Sequence, residues 1–380
     1  MTALFNRETR LHESVADALR VMVVDDSAVA RGFIRRWLEL EPGIEIVASL
    51  RTGREALDYL DRADPDVVLL DVAMPDMDGI AALPLLLSKK PGLVIIMAST
   101  LTRRNAEVTL RALSLGALDC IQKPEAQGAV TTETYRHALV TKIRELGARA
   151  RRVREPGGVP RPVPTRRSAS EPETAPRPFA VRAATKTKPR VLAIGASTGG
   201  PHALDQVCRQ LGPVIDDVPV LITQHMPPTF TTILAEHLGR ATGRLAREAE
   251  DGEPIQAGRI YVAPGHRHLK FARANGQPVA VLDDSAPVHF CKPSVDVMFS
   301  SAAEIWGGSV LGLVLTGMGS DGTRGGANIV AAGGNMIAQD EATSIVWGMP
   351  GAIAQAGLCA QVLPLPEIAP AILSAFGRRP

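Results

Sequence analysis

Short aliphatic runs alternate with amphipathic segments in two long series along the chain. The first series runs from Arg20 to about Leu146, through VMVVDD, VARGFIRRWLEL, IEIVASL, EALDYLDRA, DVVLLDVAM, AALPLLL, LVIIMAS, AEVTLRALSLGA, LDCIQKP and TYRHALVTKIRELG. Runs that are apolar throughout predict strands buried on both faces, and the segments of helical period between them predict covering helices. Five such strand–helix units in succession predict a doubly wound α/β domain with a five-stranded parallel sheet. Functional groups are expected at the carboxyl ends of its strands.

The second series starts at Arg190 with VLAIGASTGG and continues through VPVLITQH, RIYVAPGH, SVLGLVLTGM and NMIAQ to a helical close at EIAPAILSAFG. It predicts a second α/β domain, Rossmann-like, again with a parallel sheet. No repeat of fixed period is present. Between the two series, residues 147–189 hold eight prolines among Arg, Ser and Thr. Such a composition cannot offset its own ordering entropy and reads as a flexible linker. The expected organisation is an N-terminal extension over 1–18, a first domain over 19–146, the linker over 147–189 and a second domain over 190–380. Within the extension, Leu11, Val15, Ala18 and Leu19 have helical spacing, which hints at a short amphipathic helix.

Composition narrows the functional classes. The chain's net charge is +2, but residues 147–190 hold 12 Lys/Arg against 3 Asp/Glu, a net of +9, leaving −7 for the rest. The folded regions are therefore mildly acidic, which argues against nucleic-acid binding. No apolar run approaches the roughly 20 residues that span a bilayer, and the N-terminus lacks the apolar core of an export signal, so a cytoplasmic protein without membrane insertion is expected. Cys120, Cys208, Cys291 and Cys359 form no CxxC pair, so buried free thiols are the expectation.

In the first domain, one strand ends in Asp25 and Asp26, another in Asp71, a third in Ser99 and the last in Lys123 before Pro124. A parallel sheet brings these ends to one edge. Three carboxylates together invite a hard divalent cation such as Mg²⁺, with Ser99 and Lys123 offering a hydroxyl and a cation to phosphoryl oxygens. Each feature alone is commonly a helix cap or a turn. In this order, with the segment DVAMPDMDG around Asp71, the region resembles the response-regulator receiver family over about Val21 to Gly147. The resemblance implies that Asp71 accepts a phosphoryl group from a chemotaxis histidine kinase. It also implies that Asp25, Asp26 and Asp71 hold Mg²⁺ and that Ser99 and Lys123 sense the phosphate. Ala73 stands where related receivers often carry an acid, and its backbone carbonyl would serve a metal equally. Cys120 takes the place of the aromatic switch residue of many receivers.

In the second domain Ser197 follows a buried strand between Gly195 and Gly199, a turn that can expose a hydroxyl at a helix N-terminus. A nucleotide-binding turn or a plain helix cap fits the same residues. The strand VPVLIT ends in Gln224 and His225, and a strand-end histidine can serve a neighbouring serine as general base, although a lone histidine is usually structural. His202, His266, His268 and His289 lack such placement. SVLGLVLTGM runs on to Asp321, which could orient an imidazole and also cap the helix starting near Thr323. The glycines around it would let backbone amides approach an oxyanion.

The order Ser, His, Asp differs from the Ser, Asp/Glu, His order of α/β-hydrolases. The segments GASTGG, TQHMPPTF, IYVAPGHRHL, KPSVDVMF, LTGMGSDG and GMPGAI instead resemble the chemotaxis protein-glutamate methylesterase family. The resemblance implies Ser197 as nucleophile, His225 as base, Asp321 as third triad member and the Met318 amide as an oxyanion donor. It implies no cofactor for the hydrolase, and methyl esters and glutamines of methyl-accepting chemoreceptors as substrates. A monomer is expected, in which receiver packing covers the active-site edge until phosphorylation weakens it. Two rivals remain at this level: hydrolysis of a small ester or amide, and a phosphorylation-dependent binding module without catalysis.

Overall fold

The computed structural model describes residues 18–100, 102–123, 132–154 and 179–378. The chain divides into two compact units, Met1–Val159 and Pro160–Pro380.

The first unit runs β1 (Leu19–Val24), α1 (Ala28–Leu38), β2 (Ile44–Leu50), α2 (Gly53–Tyr59), β3 (Val67–Asp71), α3 (Gly79–Lys89), β4 (Val94–Ser99), α4 (Arg103–Ser114), β5 (Asp119–Gln122) and α5 (Thr132–Arg154). The strand order is β2-β1-β3-β4-β5, with every neighbouring pair parallel, as the alternating pattern predicts. Capping side chains set where its helices begin: Ser27, Thr52, Asp78 and Thr102 each accept a hydrogen bond from the backbone N–H three residues on.

Two expectations change here. Leu19 opens β1 rather than closing an amphipathic helix, and residues 1–17, where the rest of that helix was expected, lie outside the described residues. The closing helix continues to Arg154 instead of ending near Leu146. Leu139, Ile143, Leu146 and Ala150 are all buried, so the apolar stripe runs past the expected boundary. Gly147 reads as a stop in sequence. In space it is a contact point, where an added Cβ would lie 2.8 Å from Leu19 Cδ2.

The second unit runs β6 (Val191–Ala196), α6 (Gly200–Cys208), α7 (Gly212–Asp217), β7 (Val220–Gln224), α8 (Phe230–Thr242), β8 (Leu245–Glu248), β9 (Arg259–Val262), β10 (His268–Ala274), β11 (Gln277–Asp283), α9 (Val295–Trp306), β12 (Val310–Val314), α10 (Thr323–Ala331), β13 (Asn335–Gln339), α11 (Met349–Gln355), β14 (Gln361–Leu363) and α12 (Leu365–Ala375). Seven strands form a parallel sheet in the order β14-β13-β12-β6-β7-β9-β8. The chain leaves β6 toward β7 and later returns to its other side as β12, so the direction of winding reverses beside β6.

Two features of this unit were not anticipated. β10 and β11 form an antiparallel hairpin outside the main sheet. It turns at Asn275 and Gly276, whose φ values of 49° and 78° suit the mirror-image turns that Asn-Gly pairs favour. In addition, the last stretch assigned to the linker is docked on this domain. Phe179 packs its ring 5.9 Å from that of Trp347, Arg182 N–H donates to the Cys359 carbonyl at 2.9 Å, and Thr185 N–H donates to Asn335 Oδ1 at 2.9 Å. A buried-edge aromatic and specific backbone bonds offset the ordering of this stretch, which proline content alone did not reveal. The proline-rich residues 155–178 lie outside the described residues.

Gly79 supplies a test of how tightly the first domain is built. A Cβ there would lie 2.1 Å from the Asp71 carbonyl oxygen, a backbone atom that cannot swing aside. Gly79→Ala is expected to destabilise the first domain by about 1–3 kcal/mol, read as a lower urea midpoint for its unfolding. An unchanged midpoint would contradict the close approach.

Candidate functional site

The carboxyl edge of the first sheet gathers the acids expected from sequence. Asp25 and Asp71 are buried and Asp26 is exposed, and oxygens of the three lie within 4.8 Å of one another. Lys123 Nζ reaches both buried carboxylates, at 2.6 Å from Asp25 Oδ2 and 2.8 Å from Asp71 Oδ2. Burial raises the Asp71 carboxyl above the ordinary carboxylate value, and the Lys123 ammonium pulls against that rise. Asp25 Oδ2 is buried, and its one close polar neighbour among the described residues is the Lys123 ammonium. An oxygen in that state, beside two more carboxylates, fits a hard cation with oxygen ligands.

Ser99 closes β4, next to β3, and is buried, its hydroxyl donating to the Thr100 carbonyl at 3.2 Å. Cys120 lies in β5 with its thiol pushed up to about 12 by burial, so it stays protonated and unreactive at neutral pH.

On the second sheet, the three expected residues issue from three adjacent strands, β12, β6 and β7. Ser197 follows β6 directly. Gly199 has a φ of 77°, and Gly200 N–H closes the turn on the Ser197 carbonyl at 2.7 Å. Gly317 approaches so closely that an added Cβ would meet Ser197 Cβ at 2.8 Å, which brings the following residue, Met318, into the loop bordering the serine. Gln224 Nε2 donates to the Ser197 carbonyl at 2.8 Å and ties the Ser197 turn to β7.

His225 follows β7 and places Nε2 2.8 Å from Asp321 Oδ2. Asp321 is buried. Its Oδ1 accepts from Ser294 Oγ at 2.9 Å, from Asp296 N–H at 2.9 Å and from Gly322 N–H at 2.9 Å, and its Oδ2 accepts from Val295 N–H at 2.7 Å. The expected cap on the helix at Thr323 is thereby corrected, because Asp321 caps the N-terminus of α9 instead. The favourable end of that helix, reached across 25 residues of sequence, outcompetes the neighbouring one. Burial pushes the Asp321 carboxyl up, but His225 and these donors outweigh it and hold the group below the ordinary carboxylate range.

The other ring nitrogen, Nδ1, lies 3.5 Å from Cys291 Sγ. Among the described residues no hydrogen bond joins Ser197 Oγ to His225. The expectation of buried cysteines holds for Cys120, Cys208 and Cys359, whereas Cys291 is partly exposed beside the imidazole. Burial alone would depress the imidazole, but Cys291 and Asp321 outweigh it and raise His225 to about 10. His268 is structural: its Nε2 faces the Ala286 carbonyl at 3.1 Å and its Nδ1 accepts from Ser294 N–H at 3.1 Å. His289 lies on the same loop, 3.4 Å from the Asp296 carboxylate.

Sequence reasoning passed over Cys291 and Ser294. Their only signal was position, immediately before and within the segment KPSVDVMF. Gln224 was noted as a strand end without a role.

Two α/β domains, one with a phosphorylation-type acid pocket and one with serine, histidine and aspartate on the edge of a parallel sheet, define a receiver-linked hydrolase. The chain matches the CheB methylesterase family over residues 192–372 and the response regulator receiver domain family over residues 21–134. A protein-glutamate methylesterase/protein-glutamine glutaminase of group 2 operon from Rhodopseudomonas palustris is 56% identical over 375 residues, covering 95% of each chain. One from Nitrobacter hamburgensis is 56% identical over 367 residues, covering 95% of this chain and 94% of its own. Among solved structures, the Thermotoga maritima CheB methylesterase catalytic domain aligns with 50% of this chain and 99% of its own, at 38% identity and a TM-score of 0.48. The chain belongs to the CheB methylesterase family, the receiver-linked protein-glutamate methylesterase/protein-glutamine glutaminases. Among the described residues, no helix is long and apolar enough to cross a membrane.

The His225 environment makes a prediction of definite sign. Cys291 and Asp321 both favour the charged ring, so Cys291→Ala removes one raising influence and His225 should titrate at lower pH than in the parent. Heteronuclear NMR of labelled histidine reads the midpoint, and an unchanged value would show that the sulfur exerts no such influence.

Proposed function

We propose that this chain removes methyl groups from glutamate methyl esters, and ammonia from glutamines, on methyl-accepting chemoreceptors, through Ser197, His225 and Asp321. The observation that carries this reading is the His225–Asp321 pair at 2.8 Å beside the Ser197 turn, in a chain of this family. Asp321 occupies Nε2, so Nδ1 is the nitrogen left for the serine.

Ser197 Oγ attacks the ester carbonyl and passes its proton to Nδ1. Backbone amides in the glycine-rich loop at Met318 stabilise the oxyanion. As the carbonyl re-forms, the bond to the methoxy oxygen breaks, and His225 returns the proton to give methanol. Water then attacks the acyl-enzyme, His225 takes its proton, and Ser197 is released with a free glutamate. A glutamine follows the same course with ammonia leaving. An imidazole held toward its charged form by Asp321 and Cys291 must first lose its proton, so turnover should rise with pH through neutrality.

In the receiver, Asp71 accepts a phosphoryl group from a chemotaxis histidine kinase. Asp25, Asp26 and Asp71 would hold Mg²⁺, which supplies charge neutralisation between carboxylate and phosphoryl oxygens. Lys123 orients the Asp71 carboxylate, and Ser99 is placed at the neighbouring strand end to meet the phosphoryl group. Phosphorylation at Asp71 then controls hydrolysis at Ser197.

Methanol release from methylated receptor membranes tests the reaction. Ser197→Ala should lower the rate by about 10⁴-fold or more, since an activated nucleophile is lost. Retained release would exclude the serine mechanism, and activity confined to a small soluble ester would move the substrate away from receptors. Control is tested separately with a small phosphodonor and Mg²⁺. The parent should accelerate and Asp71→Asn should not, and equal responses would remove Asp71 from the control of hydrolysis.

A further inference from the structure

Cys291 reaches the imidazole through a turn built for the purpose. Val288 and Cys291 exchange backbone hydrogen bonds, Val288 N–H to the Cys291 carbonyl at 3.0 Å and Cys291 N–H to the Val288 carbonyl at 2.8 Å. The two residues between them, His289 and Phe290, have left-handed φ values of 50° and 62°. Neither is glycine, so the turn carries a conformational cost that its surroundings must offset. Lys292 helps, its ammonium donating to the Asp284 carbonyl at 3.0 Å across the base of the loop.

The sulfur so placed lies 3.5 Å from His225 Nδ1, while Asp321 holds the ring's other nitrogen, Nε2, at 2.8 Å. A zinc-type ion bound to one thiolate and one imidazole with tetrahedral angles places S and N about 3.6 Å apart, from bond lengths of roughly 2.3 and 2.1 Å. The observed separation already suits that edge. His225 also has the arrangement seen in metal-bound imidazoles, in which a carboxylate holds the distal nitrogen and the near one, once its proton is displaced, coordinates the ion. Both ligands are partly exposed, so an ion can arrive from solvent and keep water at its remaining positions.

We propose that Cys291 Sγ and His225 Nδ1 form a binding site for a thiophilic divalent ion of the zinc class, and that an ion bound there stops hydrolysis. Binding displaces to solvent the protons that the sulfur and Nδ1 carry, forms the metal–sulfur and metal–nitrogen bonds, and oxidises nothing. The ion holds the lone pair that would accept the Ser197 proton. Only the inhibitory half of the inference rests on His225 as the base; the site itself does not.

Cobalt(II) is the probe for binding and zinc(II) the probe for inhibition, both on the full chain. Cobalt should produce a near-ultraviolet thiolate-to-metal charge-transfer band in the parent, and the band should be lost in Cys291→Ser. The receiver's carboxylates cannot give that band, and Cys120, Cys208 and Cys359 are buried. Zinc should inhibit methanol release reversibly with a chelator, and Cys291→Ser should need at least about tenfold more zinc for half-inhibition, relative to its own metal-free rate. Absence of the cobalt band in the parent, or its persistence in Cys291→Ser, overturns the site. A normal band with undiminished turnover in saturating zinc overturns the inhibition, and places the fault in the assignment of His225 rather than in the ligands.

Discussion

The sheet edge that carries Ser197 and His225 depends on one buried carboxylate. Asp321 sits at the N-terminus of α9 with both oxygens engaged, so its charge is held by helix amides and by Ser294 as well as by His225. A buried anion without such donors would take up a proton and lose its grip on the imidazole. Because the donors come from α9 and the carboxylate from the loop after β12, a single side chain ties together the helix, the sheet edge and the ring. The orientation of His225, and through it the choice of ring nitrogen facing the serine side, follows from that tie.

The receiver uses the opposite arrangement. Its buried carboxylates accept fewer backbone donors, Ser27 N–H for Asp25 and Ala73 N–H for Asp71, and Asp25 Oδ2 meets only the charge of Lys123. Where the second domain surrounds its acid with donors, the first leaves its acids to one another and to a single ammonium. Both sites lie at carboxyl ends of parallel strands, and the difference is in how many N–H groups the local loops supply.

Much of this was legible in the chain because strand ends can be read directly. Asp25, Asp71, Ser99, Lys123, Ser197 and His225 each terminate or directly follow an apolar run, and a parallel sheet brings such positions to one edge whatever the loops do. The parts that escaped depend on contacts between distant segments. Cys291 meets His225 across 66 residues of sequence, through a turn whose two left-handed residues carry no glycine to mark them. Asp321 was assigned to the nearer helix because a local cap is the simpler pattern. The linker's two ends were misplaced for the same reason: proline content over 147–189 suggested a break where packing of Gly147 against Leu19 and of Phe179 against Trp347 supplies order.

The turn that carries Cys291 differs in its support from the rest of this edge. Ser197 and His225 issue from strands paired on both sides within the main sheet, whose opening requires much of the domain to unfold. Cys291 sits on a turn outside that sheet, closed by a reciprocal pair of backbone bonds and braced by Lys292 at Asp284 and by His289 at Asp296. The charge on the imidazole is therefore set from two sides, by a carboxylate fixed between sheet and helix and by a sulfur carried on a loop.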